Sequence, residues 1–272
     1  MEKVVSINDL SGMGRCSLYI AISIMSAMKV QCCPFPTAIL SNQTGYPKFS
    51  FFDFTDEMKK FSDVWGDLGY KFSNIHSGFL GNKMQVDIVI DFIKKFKTEN
   101  ANIIIDTVMG DNGKLYPIFD EEYVDEMRQL SNYATIMTPN VTELFLLANK
   151  KISYCQDKII DAAKSLAGEN TKQIIVTGIL EEDKIYNYVI DFCCGGEIFK
   201  TSVPFNNKSY SGTGDIFSSI VSACIAKGKT SQFATEFATD FIYKAVSYTN
   251  KHGTNPNDGV LFENFIKELT EI

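Results

Sequence analysis

The chain is short of positive charge. Across 272 residues, 26 Lys and Arg face 33 Asp and Glu, a formal net charge of -7. Nucleic acid and anionic membrane surfaces are held by basic patches, so neither is an expected partner. No run of about twenty uninterrupted apolar residues occurs, so no membrane span is expected. The first residues lead straight into a strand-like Lys3-Val-Val-Ser-Ile7, without the basic-then-apolar pattern of a secretory signal. Only two histidines are present, His76 in a strand-like stretch and His252 in a late polar loop. They give a serine-hydrolase triad no support, and His76 reads as a satisfied core residue. Seven cysteines include the adjacent pairs Cys32-Cys33 and Cys193-Cys194 but no C-x-x-C clip. Reduced core thiols in a cytoplasmic protein are the expectation. Gly-x-x-x-x-Gly-Lys-Ser/Thr is missing too, which excludes a P-loop enzyme.

What is there is an alternation of short apolar runs and amphipathic stretches. Strands are expected at Val4 to Ile7, Gln31 to Ala38, Phe72 to Gly78, Asn102 to Asp106, Ala134 to Met137 and Gln173 to Val176. Helices are expected at Cys16 to Met28, Asp56 to Leu68, Asp215 to Ala226, Ser231 to Thr249 and Leu261 to Leu269. The clearest helix carries Met84, Ile88, Phe92 and Phe96 in steps of four, beside Val89 and Ile93. Lys184 to Cys194 and Glu197 to Val203 read as a hairpin turned at Gly195-Gly196. With no repeat or linker, residues 1–272 read as a single domain, an open and mostly parallel sheet with helices on both faces.

Ligands of such sheets bind beyond the carboxyl ends of the strands. Six polar segments follow strand ends: Asn8 to Gly14, Ser41 to Tyr46, Asp106 to Asp111, Asn140 to Glu143, Thr177-Gly178 and Gly212 to Asp215. The last opens a helix. Its glycines suit a backbone that exposes several N–H groups to an anion, although Gly212-Thr-Gly-Asp215 also reads as a simple helix start with a carboxylate in the first turn. Asn140 and Glu143 form a capping box, or hold waters on a magnesium ion beside phosphates, or both. Asp106 and Asp111 are turn formers or metal–phosphate ligands. Phosphoryl transfer uses these parts together: Gly212, Thr213 and Gly214 amides receive the moving group, Mg2+ offsets charge, and Asp215 accepts the proton of an attacking alcohol.

In these motifs the sequence resembles the ribokinase-like superfamily, and within it the pyridoxal (vitamin B6) kinases. The segments that carry the resemblance are Ser6-Ile-Asn-Asp-Leu-Ser-Gly12, Ser41-Asn-Gln-Thr-Gly-Tyr46, Asp106-Thr-Val-Met-Gly-Asp111, Gly113-Lys-Leu-Tyr116, Thr138-Pro-Asn-Val-Thr-Glu143 and Gly212-Thr-Gly-Asp215. The resemblance implies a three-layer αβα fold, ATP with Mg2+ (a monovalent cation such as K+ stays open) and a homodimer. By it Asp215 is the base for the 5′-hydroxyl and Gly212 to Gly214 form the anion hole. Thr44 contacts polar ring substituents, with Tyr46 and Phe79 as walls. Asp106, Asp111, Tyr116, Asn140, Glu143 and Thr177 lie along the nucleotide side, with Asp111 and Glu143 toward the metal.

Two departures stand out. Asp9-Leu10 occupies a place where these kinases often carry Ser then His, and an anionic Asp9 favours a protonated ring nitrogen or an amine. Thr107 replaces a common proline. The rival enzyme is a hydroxymethylpyrimidine kinase of thiamine synthesis; those commonly have Gly-Thr-Gly-Cys where this chain has Asp215. The non-enzyme alternative is a vitamer-binding protein of the same fold.

Overall fold

The computed structural model describes residues 1–272. In chain order it runs β1 (Lys3–Ser11), α1 (Ser17–Ala27), β2 (Gln31–Leu40), β3 (Phe51–Asp53), α2 (Thr55–Asp67), β4 (Phe72–Ser77) and α3 (Lys83–Phe96). β5 (Lys97–Ile105), the small hairpin β6 (Gly110–Asp111) and β7 (Lys114–Leu115), α4 (Glu121–Ser131), β8 (Ile136–Met137), α5 (Val141–Leu147) and α6 (Gln156–Ser165) follow. β9 (Gln173–Glu181), β10 (Lys184–Asp191), β11 (Glu197–Pro204), α7 (Thr213–Ala226), α8 (Ser231–His252) and α9 (Ile266–Thr270) complete the chain.

Nine strands form one sheet in the order β11-β10-β9-β8-β5-β4-β1-β2-β3. The six central strands from β9 to β2 run parallel; β3 at one edge and β10 toward the other run against them, and β11, antiparallel to β10, runs with them again. The layers follow from strand alternation. Val5, Ile7, Ile103, Ile105 and Ile174 point to one face and are covered by α2 to α6. Val4, Ile104, Ile136, Ile175 and Val189 point to the other, under α1, α7, α8 and α9. This is the expected three-layer αβα sandwich. The chain reverses its direction of travel through the sheet between β1 and β4, so the crevice beyond their carboxyl ends is the topological switch point.

Several expectations are corrected. β1 does not stop at Ile7; it pairs with β2 as far as Ser11, through a register shift between Asn8 and Leu10. Thr177-Gly178 is not a loop, because β9 continues to Glu181 around a bulge opposite Tyr186 and Tyr188. Asn187 Oδ1 accepts from the Gly178 amide there (2.9 Å), which supports the irregular backbone. The β10–β11 connection is longer than a two-residue turn: a 3-10 turn at Phe192–Cys194 precedes Gly195 and Gly196, both at positive φ. Helices α4 and α6 have no counterpart among the expected elements. Of the expected α3 stripe, Val89, Phe92, Ile93 and Phe96 are buried, joined by Val86 and Ile90, while Ile88 is half-buried and Met84 exposed. His76 is buried, but only Nδ1 has a partner, the Ser6 hydroxyl at 3.3 Å; Nε2 has none, and burial pulls its pKa down to about 4. The thiols are all free, yet Cys155, Cys193 and Cys194 are exposed rather than in the core.

Candidate active site

Helix α7 begins at Thr213 after Gly212, whose φ of 82° is a left-handed conformation that suits glycine. A Cβ on Gly212 would also fall 2.0 Å from the Arg15 carbonyl oxygen, so no other residue fits without displacing backbone. No side chain caps this terminus. The Thr213 hydroxyl turns back to donate to the Tyr210 carbonyl (3.3 Å), and the space over Gly214 is open. The first-turn amides of Thr213, Gly214 and Asp215 therefore face outward at the positive end of a 14-residue helix.

Asp215 stands in that first turn. Asn8 Nδ2 donates to its Oδ1 (3.2 Å), and the Ser17 amide faces it. Removal from bulk water pushes its pKa up to about 7, with the charges of Asp106 and Asp9 adding to the rise and the Ser17 amide and Asn8 opposing it. An ordinary Asp near 3.9 is a weak base. One near 7 is matched to proton abstraction at neutral pH.

Asn8 is the residue that the sequence motifs left unassigned. Its Oδ1 accepts from the Phe79 amide (2.9 Å) and the Asp9 amide (3.0 Å) while its Nδ2 holds Asp215. Gly78 makes this possible, since a Cβ there would lie 2.4 Å from Asn8 Nδ2. One amide thus ties the ends of β1 and β4 to the start of α7. Ser17, at a φ of 54°, is the other unassigned neighbour; a non-glycine residue held left-handed beside a carboxylate suggests a site where geometry outranks local ease.

The loop with Thr44 is pinned to the same place. The Gln43 amide donates to the Met13 carbonyl (3.1 Å), and Gln43 Nε2 to that of Asn257 (3.2 Å). Asn257 Nδ2 donates to the Gly45 carbonyl (2.8 Å), and the Tyr46 hydroxyl donates to Asp258. The Arg15 amide donates to the Asp258 carbonyl (3.1 Å), and the Ser211 amide to that of Pro256 (3.1 Å). Segment 255–258 therefore knots the Thr44 loop to residues 13–15 and to the approach to α7. Nothing in the sequence but its Asn-Pro turn signal marked that segment. Thr44 itself is exposed. Phe79 is half-buried against the Phe119 ring, 6.0 Å between centroids, as a wall should be.

On the other side of α7 lie the acids. Glu143 is buried; its Oε2 accepts from the Asn140 amide (3.0 Å) and the Thr107 hydroxyl (3.2 Å), its Oε1 from the Met109 amide (3.2 Å). Asn140 Oδ1 completes the capping box with the Glu143 amide (3.0 Å), and Nδ2 donates to the Gly110 carbonyl (2.8 Å). The capping reading therefore holds. Asp106, also buried, has its pKa pushed up to about 6 by loss of water, and Glu143 is driven well above the carboxylate range by burial and then by Asp106. Asp111 is exposed in the β6–β7 turn and accepts from the Asn112 amide (2.7 Å) and Nδ2 (3.0 Å), so the turn-former reading also holds. Tyr116, 38% exposed overall, has its pKa raised by loss of water around the hydroxyl and then by the charges of Glu143, Asp111, Asp106 and Asp215. Thr177 lies beside Asn140 and donates its amide to the Pro139 carbonyl (2.9 Å).

A divalent ion fits this side. Asp106 and Glu143 are paired, buried carboxylates, and the ion pairs of the chain's Lys and Arg side chains all lie with other acids. No three Asp, Glu, His or Cys side chains converge as a ready-made cage.

In sequence and fold the chain is similar to known kinases. Residues 22–260 match the family model described as phosphomethylpyrimidine kinase. A crystal structure of a putative phosphomethylpyrimidine kinase from Bacteroides thetaiotaomicron, in a form with pyridoxal, is 38% identical; the superposition covers 98% of this chain and 95% of that one, with a TM-score of 0.93. A putative pyridoxal kinase of Saccharomyces cerevisiae is 30% identical over 205 residues, 71% of this chain and 64% of the yeast protein, just under two thirds of its length. A pyridoxal kinase of Dictyostelium discoideum is 26% identical over 272 residues, 91% of this chain and 86% of that one.

Proposed function

The chain belongs to the phosphomethylpyrimidine kinase family, and on that premise we propose that it is an ATP-dependent kinase that phosphorylates the 5′-hydroxymethyl group of vitamin B6 vitamers. The observation that carries the reading is Asp215, a carboxylate with a pKa of about 7 in the first turn of a helix whose amides are uncapped. The pyridoxal-bound relative at 38% identity directs the choice of alcohol.

In this mechanism the vitamer enters under the Thr44 loop, with Phe79 and Tyr46 as walls and Asp9 at the pocket's polar end. Asn8 orients Asp215 by a hydrogen bond to Oδ1 (3.2 Å), so that the carboxylate accepts the 5′-hydroxyl proton while the hydroxyl oxygen bonds to the γ-phosphorus, the bond from that phosphorus to the β,γ-bridging oxygen breaks and ADP leaves. Amides of Thr213 and Gly214, led by the Gly212 turn, receive the equatorial oxygens of the moving phosphoryl group; because they are already oriented, little reorganisation opposes the step. The nucleotide lies along Asp106, Asp111, Tyr116, Asn140 and Thr177. Asp106, Glu143 and Asp111 are the residues that would hold a magnesium ion, which would supply charge neutralisation to the phosphates. Glu143 already accepts three hydrogen bonds, so its share is through water. The assembled enzyme is proposed as a cytoplasmic homodimer.

The second reading, a hydroxymethylpyrimidine kinase, is favoured by the description of the matched family itself. A coupled ADP-release assay with ATP, Mg2+ and each of pyridoxal, pyridoxamine, pyridoxine and hydroxymethylpyrimidine separates the two. Turnover of at least one vitamer is the expected result. Turnover of the pyrimidine alone would replace the B6 assignment, and ATP left intact with every alcohol would leave a binding protein.

A further inference from the structure

Successive residues of a regular strand point to opposite faces. Asn8 and Asp9 do not behave this way. Asn8 reaches Asp215 at the start of α7, and Asp9 reaches the Ser17 hydroxyl at the start of α1, on the same side of the sheet. The register shift between Asn8 and Leu10 accounts for it: the bulge turns Asp9 inward beside the base. Asp9 is 6% exposed. Its neighbours are hydroxyls, Ser11 Oγ donating to Oδ2 at 3.1 Å and Ser17 facing it. Burial raises the Asp9 pKa, and the two hydroxyls only partly oppose that rise; neither neutralises the carboxylate, so a cation brought to it is what would hold it ionised.

The first cation after Asp9 in the sequence is engaged elsewhere. Arg15 Nε donates to Glu263 Oε1 (2.6 Å), and its Nη1 to the Asp258 carbonyl (3.2 Å). A buried carboxylate that is hydrogen-bonded but has no counter-ion is costly, and an ammonium group brought to it forms the strong, charge-assisted kind of hydrogen bond. Resting on the kinase reading above, we propose that Asp9 ranks the vitamers: its carboxylate receives the protonated 4′-aminomethyl group of pyridoxamine, which makes the amine the preferred substrate over the alcohol and the aldehyde.

Ring chemistry selects the 4′ group over the pyridinium nitrogen. The 4′ substituent is next to the 5′-hydroxymethyl group on the ring, whereas the nitrogen lies across the ring from C4. In the protein the two acids are likewise adjacent: Asn8 holds Asp215 through Nδ2 and the Asp9 amide through Oδ1 (3.0 Å). An alcohol at Asp215 therefore brings its 4′ neighbour to Asp9.

The test is kcat/KM for pyridoxamine, pyridoxine and pyridoxal with the wild type, Asp9→Asn and Ser11→Ala. The wild-type ratio of pyridoxamine to pyridoxine is expected to exceed about tenfold. Asp9→Asn should cut that ratio at least about tenfold, mainly through the KM of pyridoxamine, and Ser11→Ala by a smaller factor in the same direction. A wild-type ratio near one, an unchanged ratio in Asp9→Asn, or an equal loss for all three vitamers would overturn the assignment; the last would make Asp9 an anchor for the start of α1. If Asp9→Asn does not fold, the wild-type and Ser11→Ala ratios decide. Calorimetric binding of pyridoxamine and pyridoxine to the same proteins reads the same ratio without turnover, so a failure of the kinase reading is told apart from a failure at Asp9.

Discussion

Two helices start on the same rim of the sheet, and their N-termini are built in opposite ways. At α5 the terminus is capped internally: Asn140 and Glu143 each accept the other's amide, and Glu143 goes on to hold the Thr107 hydroxyl and the Met109 amide. At α7 a glycine at φ 82° opens the helix, no side chain caps it, and the one acid in the first turn is held by Asn8 from another element. A capped terminus contributes to stability. An uncapped one beside a carboxylate of raised pKa forgoes that contribution and is suited to an incoming anion. The contrast assigns stability to α5 and chemistry to α7.

The largest expected effect breaks the contrast at α7. Asp215→Asn keeps the shape and the Asn8 contact but removes the base, and kcat should fall about 10²–10⁴-fold with KM little changed. Steady-state kinetics with a vitamer and MgATP check it, and an unchanged kcat would remove Asp215 from the chemistry. Gly212→Ala comes next. The new Cβ meets the Arg15 carbonyl at 2.0 Å and the residue must hold a positive φ, so about 1–3 kcal/mol of stability should be lost. Because the shift occurs where the phosphoryl group is received, kcat should also fall about 10- to 100-fold. Denaturant unfolding and kinetics on one preparation measure both.

How much of this contrast the sequence announces depends on the range of each interaction. Local patterns were readable: the α7 turn in Gly212-Thr-Gly-Asp215, the α5 box in Asn140 and Glu143, the parallel layers in the alternation of short apolar runs. The hairpin glycines 195 and 196 marked a reversal but not the 3-10 turn before it, since Phe192-Cys193-Cys194 carries no turn signal of its own. The β1 bulge was hidden for a related reason: a polar run after a buried strand reads as loop, whereas pairing with β2 extends the strand to Ser11. Asn8 lies 207 residues from Asp215, and segment 255–258 about as far from the Thr44 loop it holds. Periodicity and spacing carry no information about partners at that distance. Nor could the sequence raise the pKa of Asp215, because the cause is enclosure by residues from other elements.

The same enclosure sharpens the contrast through pH. Asp215 must be ionised to act, and its pKa is about 7. kcat/KM should therefore be flat above pH ~7 and fall about tenfold per unit below it, as the free-enzyme profile reports that group. A profile flat down to pH 5 would mean the base titrates elsewhere. Stability has the opposite sign. A carboxyl with a raised folded-state pKa favours folding when protonated, below its unfolded value near 3.9, and that contribution is lost as pH rises through about 7. Asp215→Asn should then melt above the wild type at pH 8 and lose that advantage toward pH 4, by differential scanning calorimetry without nucleotide.

The smallest expected effect tests the α5 side. Asn140→Ala deletes the acceptor for the Glu143 amide and the donor to the Gly110 carbonyl (2.8 Å), while Glu143 keeps its bonds to the Asn140 amide, Thr107 and Met109. Loss of an Asn cap costs about 1 kcal/mol, which in a chain of this size lowers Tm by about 2–4 °C. Because Glu143 stays held by three other donors, the carboxylate proposed above to hold a magnesium ion stays in place, and kcat should drop by less than about tenfold. Titrating MgATP separates the two kinds of loss, since a loosened β6–β7 turn raises the KM for nucleotide more than it lowers kcat. A fall in kcat to the level of Asp215→Asn would mean that Asn140 acts on the reacting phosphate, and that the terminus of α5 is no more a stability device than that of α7.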